Sequence, residues 1–219
     1  MKLKQKYYAL CIKTREKFNP LLGPLRRKFL GANFPFTIIS NNCWAGHVYR
    51  HYHLPYDTPT VGLYFFADDY IKFVSNLKYY LCDCKLRVTD NSESKYRDIL
   101  LSKGGENAVC PVGHLDDIEI IFLHYKTKEE AESKWNRRKE RIHWGNLIIK
   151  NTEMNGCTLE HMKQYDSLPF ETKFIFTTKD YGLKSQVVFK EFAGQDQVKD
   201  DTTHFRKYIN LNKLINRNT

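Results

Sequence analysis

The sequence predicts an α/β fold: a single three-layer α/β/α domain built around a mostly parallel or mixed sheet. Three observations carry that expectation. Runs rich in β-branched and aromatic residues, "FPFTIIS", "DDIEIIFLHY", "LIIK" and "TKFIFTT", alternate with segments of helical periodicity, the order that βαβ layers produce. A chain of 219 residues can bury one sizeable core. Its 14 tyrosines and 14 phenylalanines place it among folded chains and not among polar tails.

The elements come in order. Residues 1–30 read as a basic helical arm: Lys2, Lys4, Lys6, Lys13, Arg15, Lys17, Arg26, Arg27 and Lys28 stand against one acid, Glu16, with Tyr7, Tyr8, Leu10, Ile12 and Phe18 among them. "NPLLGPL", Asn19 to Leu25, holds two prolines and a glycine and reads as a break and hinge in that helix. The division expected is an arm over 1–33 and one α/β domain over 34–219. "FPFTIIS" is a buried strand, and a short helix runs from Ala45 to His53. "LPYDTPTVGLYFF" is extended, because proline pushes the residue before it out of the α region. Ala67 to Leu81 is an amphipathic helix: Ile71, Val74, Leu77 and Leu81 keep the three–four spacing, and Asp68 and Asp69 complement the N-terminal dipole. "CKLRVTD" gives a short strand, and "SESKYRDILLS" a short helix stopped at Gly104-Gly105. Asp116 to Tyr125 is a strand. Thr127, with Glu130 three residues on, has the capping-box spacing for a helix reaching about His143. "LIIK", "TLEHMKQYDSL" and "TKFIFTT" continue as strand, helix and strand. "SQVVFKEF" and "FRKYINLNKLI" supply a last strand and a last helix.

The formal charge of +10 directs the chain towards anions: nucleic acid, anionic lipid headgroups or phosphate-bearing substrates. No nucleic-acid motif accompanies the interleaved basic and aromatic residues, which sets nucleic acid aside. The arm over residues 1–30 suits an anionic membrane surface; the alternative is a solvated helix packed on the domain by its aromatic side. No segment reaches the roughly eighteen consecutive apolar residues of a membrane span, and the N-terminal apolar run is too short for a signal peptide. A cytoplasmic location is expected, peripheral at the inner membrane face where the arm meets lipid. The six cysteines are scattered, which fits reduced thiols better than a disulfide framework. There is no Gly-rich phosphate loop, no G-x-G-x-x-G, no G-x-S-x-G and no Asp-x-Asp pair. His47 and His51 are spaced to share a helix face, but no Asp, Glu or Cys stands at ligand spacing, and no metal is assigned.

The chemistry concentrates at Asn41-Asn42-Cys43-Trp44, where a strand hands over to a helix. In an open α/β sheet that crevice takes ligands. A helix N-terminus there would lower the thiol pKa of Cys43, the Asn41 and Asn42 amides would supply oxyanion donors, and the Trp44 indole a substrate contact. The alternative makes Cys43 a buried filler and the asparagines turn formers. His124, closing its strand, is the candidate base, with His114 second; Asp69, Asp116 or Asp117 would orient the imidazole. Arg137, Arg138 and Arg141, between Trp135 and Trp144, suit phosphate oxygens, or else form a solvated helix face.

The strings "ISNNCWAGHVY", "YDTPTVGLYFFADDYIKFVSNLKYYL", "FLHY", "WNRRKERIHWGN" and "FTT", in this order from Phe34 to Thr178, resemble an uncharacterised bacterial family of capsule, exopolysaccharide and lipopolysaccharide gene clusters, labelled exopolysaccharide biosynthesis protein. The resemblance implies one α/β/α domain and a place in surface-glycan assembly. The family pattern has Gly-Gly after the tryptophan, where this chain has Ala45-Gly46. Ser40-Asn41-Asn42-Cys43 is also similar to the Gly-Asn-Cys-Gln turn of certain capsule acyltransferases. The resemblance carries no settled reaction; the leading expectation is a transferase acting on a sugar or lipid-linked glycan, with a coenzyme A thioester as acyl donor or, in a metal-independent glycosyltransferase, a nucleotide sugar. The non-enzymatic alternative is a membrane-surface assembly factor.

Overall fold

The computed structural model describes residues 2–31 and 34–216, with the backbone alone for 2–13 and 15. The pattern read on Lys2, Lys4, Lys6, Tyr7, Tyr8, Leu10, Ile12, Lys13 and Arg15 lies outside the described side chains.

The fold is α/β, and its centre is a four-stranded sheet of β1 (Thr37–Ser40), β5 (Leu147–Thr152), β6 (Thr172–Thr177) and β7 (Gln186–Val188), in that order. Every pairing in it is parallel. Side chains alternate across the pleat and so divide the core. Ile38, Ile148, Phe174 and Phe176 point to one face, where α2 (Trp44–His51) and α7 (Leu211–Ile215) pack through Trp44, Val48, Leu214 and Ile215. Ile39, Ile149 and Ile175 point to the other, against α3 (Ala67–Ser75), α5 (Lys128–Lys139) and α6 (Leu159–Ser167) through Phe73, Val74, Trp135, Met162 and Tyr165.

A second sheet, antiparallel, joins β2 (Arg87–Thr89), β3 (Val112–Leu115) and β4 (Ile118–Ile121). This corrects the single long strand expected over 116–125. β3 and β4 form a hairpin through Asp116 and Asp117, with Asp116 at φ 53°, a conformation aspartate tolerates better than most residues. His114, read as a loop residue, is therefore in a strand. α4 (Arg97–Lys103) precedes the Gly104-Gly105 turn as expected.

Two helices differ from their reading. The helix from Ala67 ends at Ser75, and a π-type turn, Tyr79–Asp83, carries the chain on. The first helix, α1 (Lys2–Arg27), runs through Pro20 and Pro24 unbroken, which corrects the hinge at 19–25. Both proline residues are exposed, on the side where water satisfies the carbonyls they strand. The opposite side is clamped to α2. A Cβ on Gly23 would lie 2.4 Å from the Cβ of His53, so glycine alone permits the approach. Beside it, Arg26 Nη1 donates to Asn19 Oδ1 and to the His51 carbonyl, each at 2.7 Å.

Candidate functional site

The strand-to-helix turn after β1 lies at the carboxyl edge of the parallel sheet, as its sequence suggested, but its amides face inward. Lys150, on β5, is fully buried, and its Nζ donates to Asn41 Oδ1 (3.0 Å), to Asn42 Oδ1 (2.8 Å) and to the buried Asp201 carboxylate. Asp201 Oδ2 also accepts from Thr152 Oγ1 (2.5 Å) and Asn42 Nδ2 (2.8 Å). Asn41 Nδ2 donates to the Thr152 carbonyl at 3.2 Å. A buried ammonium needs this many oxygens around it. Asn41 and Asn42 thus serve the ion pair, and their amides are turned to the buried Lys150 and Asp201 instead of taking the oxyanion role expected of them at the cleft. Asn42 Oδ1 further accepts from the Trp44 N–H at 3.1 Å and so caps α2.

Cys43 stands at the N-cap position of α2, and its Sγ approaches the Leu63 carbonyl at 3.5 Å. The helix terminus does not lower its pKa. Burial first, and the Asp201 carboxylate second, push the thiol up to about 11. Desolvation of the thiolate outweighs the dipole of a two-turn helix whose first N–H is already capped.

A cleft of about 220 Å³ opens beside this thiol, lined by Cys43, His47, Arg50, Val61, Gly62, His124, Tyr125, Lys134 and Arg138. Among the described residues its lining holds two imidazoles, three permanent cations and no carboxylate. The cations differ in their partners. Arg50 Nε donates to Glu16 at 3.0 Å and Lys134 to Glu130 at 2.5 Å. Arg138 is 7% exposed. Its Nη1 donates to the Tyr125 hydroxyl (2.6 Å) and the Val61 carbonyl (3.3 Å), and its guanidinium lies 5.0 Å from the centre of the Tyr56 ring. Among the described residues it pairs with no carboxylate. His124 Nδ1 is held by Glu106 at 2.8 Å, which leaves Nε2 for a ligand. His47 Nδ1 lies 3.0 Å from Arg50 Nη2; arginine only donates, so the His47 proton sits on Nε2. Burial, then Arg50, pull the His47 pKa down to about 4. Gly62, at φ 76°, shapes the mouth: a Cβ there would meet Tyr125 Cε2 at 3.0 Å.

A family described as a domain of unknown function, DUF1919, matches residues 23–217. The chain belongs to this family. The match takes in the C-terminal segment, whose Phe205 packs on Trp44. A protein of Haemophilus influenzae (strain ATCC 51907 / DSM 11121 / KW20 / Rd), described as an uncharacterized protein, is 35% identical over 177 residues, 80% of this chain and 77% of that one.

In this DUF1919 chain the remaining site candidates scatter. Trp44 is fully buried, edge-on to Phe174 and Phe205, so its indole is core and not a substrate surface. Asp69, also fully buried, pairs with Lys95 at 2.6 Å and accepts from the Glu119 N–H; the carboxylate behind His124 is Glu106 instead. Asp117 accepts from Lys72 and Tyr80, Asp116 from Tyr79. His114 lies 2.8 Å from the Thr89 hydroxyl, outside the cleft. Arg137 and Arg141 are exposed and do not line the cleft. His47 and His51 turn to different partners, His51 to Arg206 at 3.1 Å. Lys150 had one signal in the sequence, a lysine inside an apolar strand; Arg50 and Glu106 had none.

Proposed function

We propose that this chain is a transferase of bacterial surface-polysaccharide assembly, whether capsule, exopolysaccharide or lipopolysaccharide, that draws a phosphorylated donor into the cleft and moves an acyl group from a coenzyme A thioester to a sugar or lipid-linked glycan. The observation that carries it is Arg138. A buried guanidinium with no carboxylate partner among the described residues, on the wall that also holds a thiol and an imidazole, would be stabilised by an anionic ligand, and its planar fork matches phosphate oxygens. The pathway rests on the motif resemblance, the donor class on the cleft.

In this reading Arg138, Arg50 and Lys134 hold the donor phosphates. Cys43 Sγ attacks the thioester carbonyl while its proton passes to His124, which Glu106 orients. Coenzyme A leaves as the thiol with that proton. The sugar hydroxyl then gives its proton to His124 and takes the acyl group from Cys43, and His124 passes that proton to the released Cys43 sulfur, which restores the thiol. The raised thiol pKa makes the base indispensable. It also favours a second reading, glycosyl transfer from a nucleotide sugar, in which Cys43 only shapes the wall and His124 deprotonates the acceptor.

Intact-mass measurement of the full chain after incubation with acetyl coenzyme A separates the two. An acetyl adduct present in wild type and absent in Cys43→Ser supports acyl transfer. No adduct, with calorimetric binding of a nucleotide diphosphate weakened by Lys134→Ala, supports glycosyl transfer. If neither coenzyme A nor a nucleotide binds, both readings fall.

A further inference from the structure

Away from the cleft, α1 and the turn after it carry an apolar stripe that no described residue covers. Phe18 is 51% exposed, Leu21 72%, Leu22 40%, Leu25 54% and Phe29 69%. At 100° per residue the first four, which lie within α1, fall within one third of the helix circumference, and Phe29 follows in the turn just beyond Arg27. The opposite side is the one that docks: Asn19 and Gly23 are buried against the body, and Arg26 reaches across to the His51 carbonyl. The stripe is therefore not an undocked core face. It is the outer side of a helix that is already seated.

Charge selects the occupant. Residues 1–30 carry nine cations and one acid, and that acid, Glu16, is turned inward to Arg50 at 3.0 Å and His47 at 3.7 Å. Lys17 and Lys28 are exposed along one border of the stripe. A second copy of this chain would have to bring its own cations against these. An anionic bilayer offers both what the stripe and what its border require: acyl chains for the leucines and phenylalanines, headgroup phosphates for the lysines. We propose that α1 is an interfacial anchor that lies in the surface of an anionic membrane, its Phe18–Phe29 stripe sunk among the acyl chains. Because Glu16 on its inner side touches Arg50 and His47 of the cleft lining, this seating brings the cleft next to the headgroup layer. The anchor stands on α1 alone and does not depend on the reaction proposed for the cleft.

The test is co-sedimentation of the full-length chain with vesicles of phosphatidylcholine and with vesicles that also contain phosphatidylglycerol. Binding should be strong to the second, weak to the first, and should fall with salt. Each neutralised lysine is worth roughly fivefold in affinity, so Lys17→Gln with Lys28→Gln should weaken binding about thirtyfold. Leu21→Glu with Leu25→Glu, both at exposed positions, should abolish it. As a reading that does not depend on those variants folding, Leu21→Trp should be quenched by lipids brominated in the acyl chain. Equal binding to neutral and anionic vesicles, or an unquenched Trp at position 21, overturns the proposal. So does sedimentation equilibrium showing a dimer that Leu21→Glu with Leu25→Glu splits while vesicles leave it untouched; the stripe would then be an interface between copies.

Discussion

Removal of the Asp201 carboxylate should be among the most damaging single changes in this protein. Asp201 is 2% exposed, and its partner Lys150 is fully buried. Asp201→Ala leaves the ammonium with two neutral amide oxygens, Asn41 Oδ1 and Asn42 Oδ1, and deprives the Thr152 hydroxyl and the Asn42 amide of their acceptor. Breaking a buried pair from one side costs roughly 3–5 kcal/mol, and each stranded neutral donor adds about 1 kcal/mol. A loss of about 5 kcal/mol is thus expected, a large part of the 5–15 kcal/mol typical of a folded domain. Urea unfolding followed by circular dichroism measures it, and a cycle with Lys150→Met isolates the pair. With both charges gone the penalty for an unpaired ammonium disappears, so the double variant should be more stable than the sum of the singles by at least about 2 kcal/mol. A loss under 1 kcal/mol for Asp201→Ala, or an additive cycle, would refute the claim that this pair holds the Asn41–Cys43 turn.

The cleft supplies three further outcomes. With its pKa raised from 9.0 to about 11, Cys43 should alkylate about a hundredfold slower than a free cysteine near pH 8, since only the thiolate reacts; tryptic mass mapping of the iodoacetamide adduct reads the rate, and a rate equal to that of glutathione rejects the assignment. Gly62→Ala should destabilise by roughly 1–2 kcal/mol, because φ 76° strains any side-chain-bearing residue and the methyl meets the Tyr125 ring; a urea midpoint equal to wild type contradicts this. For His47, both states are neutral above pH 6.5, and below it the unfolded chain takes a proton that the native site refuses until about pH 4. His47 therefore lowers stability as pH falls through that window. His47→Gln should remove this component, so the stability difference between wild type and variant should shift in favour of the variant from pH 7 to pH 4.5; a difference that ignores pH counts against the shifted pKa.

What the sequence determined is local in origin. Strand and helix periods of 2 and 3.6 are written in neighbouring residues, so the alternating layers, the strand ending at Ser40, the short helix read from Ala45 and found from Trp44, and the Thr127 cap, which accepts from the Glu130 N–H at 3.1 Å, were all legible. Cys43, His124 and Arg138 line one cleft, but only Cys43 was placed there by the carboxyl edge of the parallel sheet; His124, expected to close a strand of that sheet, lies in a turn beyond β4 of the antiparallel sheet, and tertiary packing brings it to the thiol. Tertiary structure decided the rest. Asn42 and Asp201 meet across 159 positions of chain, and no periodicity announces such a pair; with Lys150 it turned the amides away from the cleft. The antiparallel β3–β4 hairpin replaced a long strand because pairing partners, not propensity, set where a strand ends. Pro20 and Pro24 stayed inside α1 because docking at Gly23 offset what two missing N–H groups cost. The thiol rose where a helix terminus would have lowered it, since burial is a property of the packed whole and a dipole only of its own few turns.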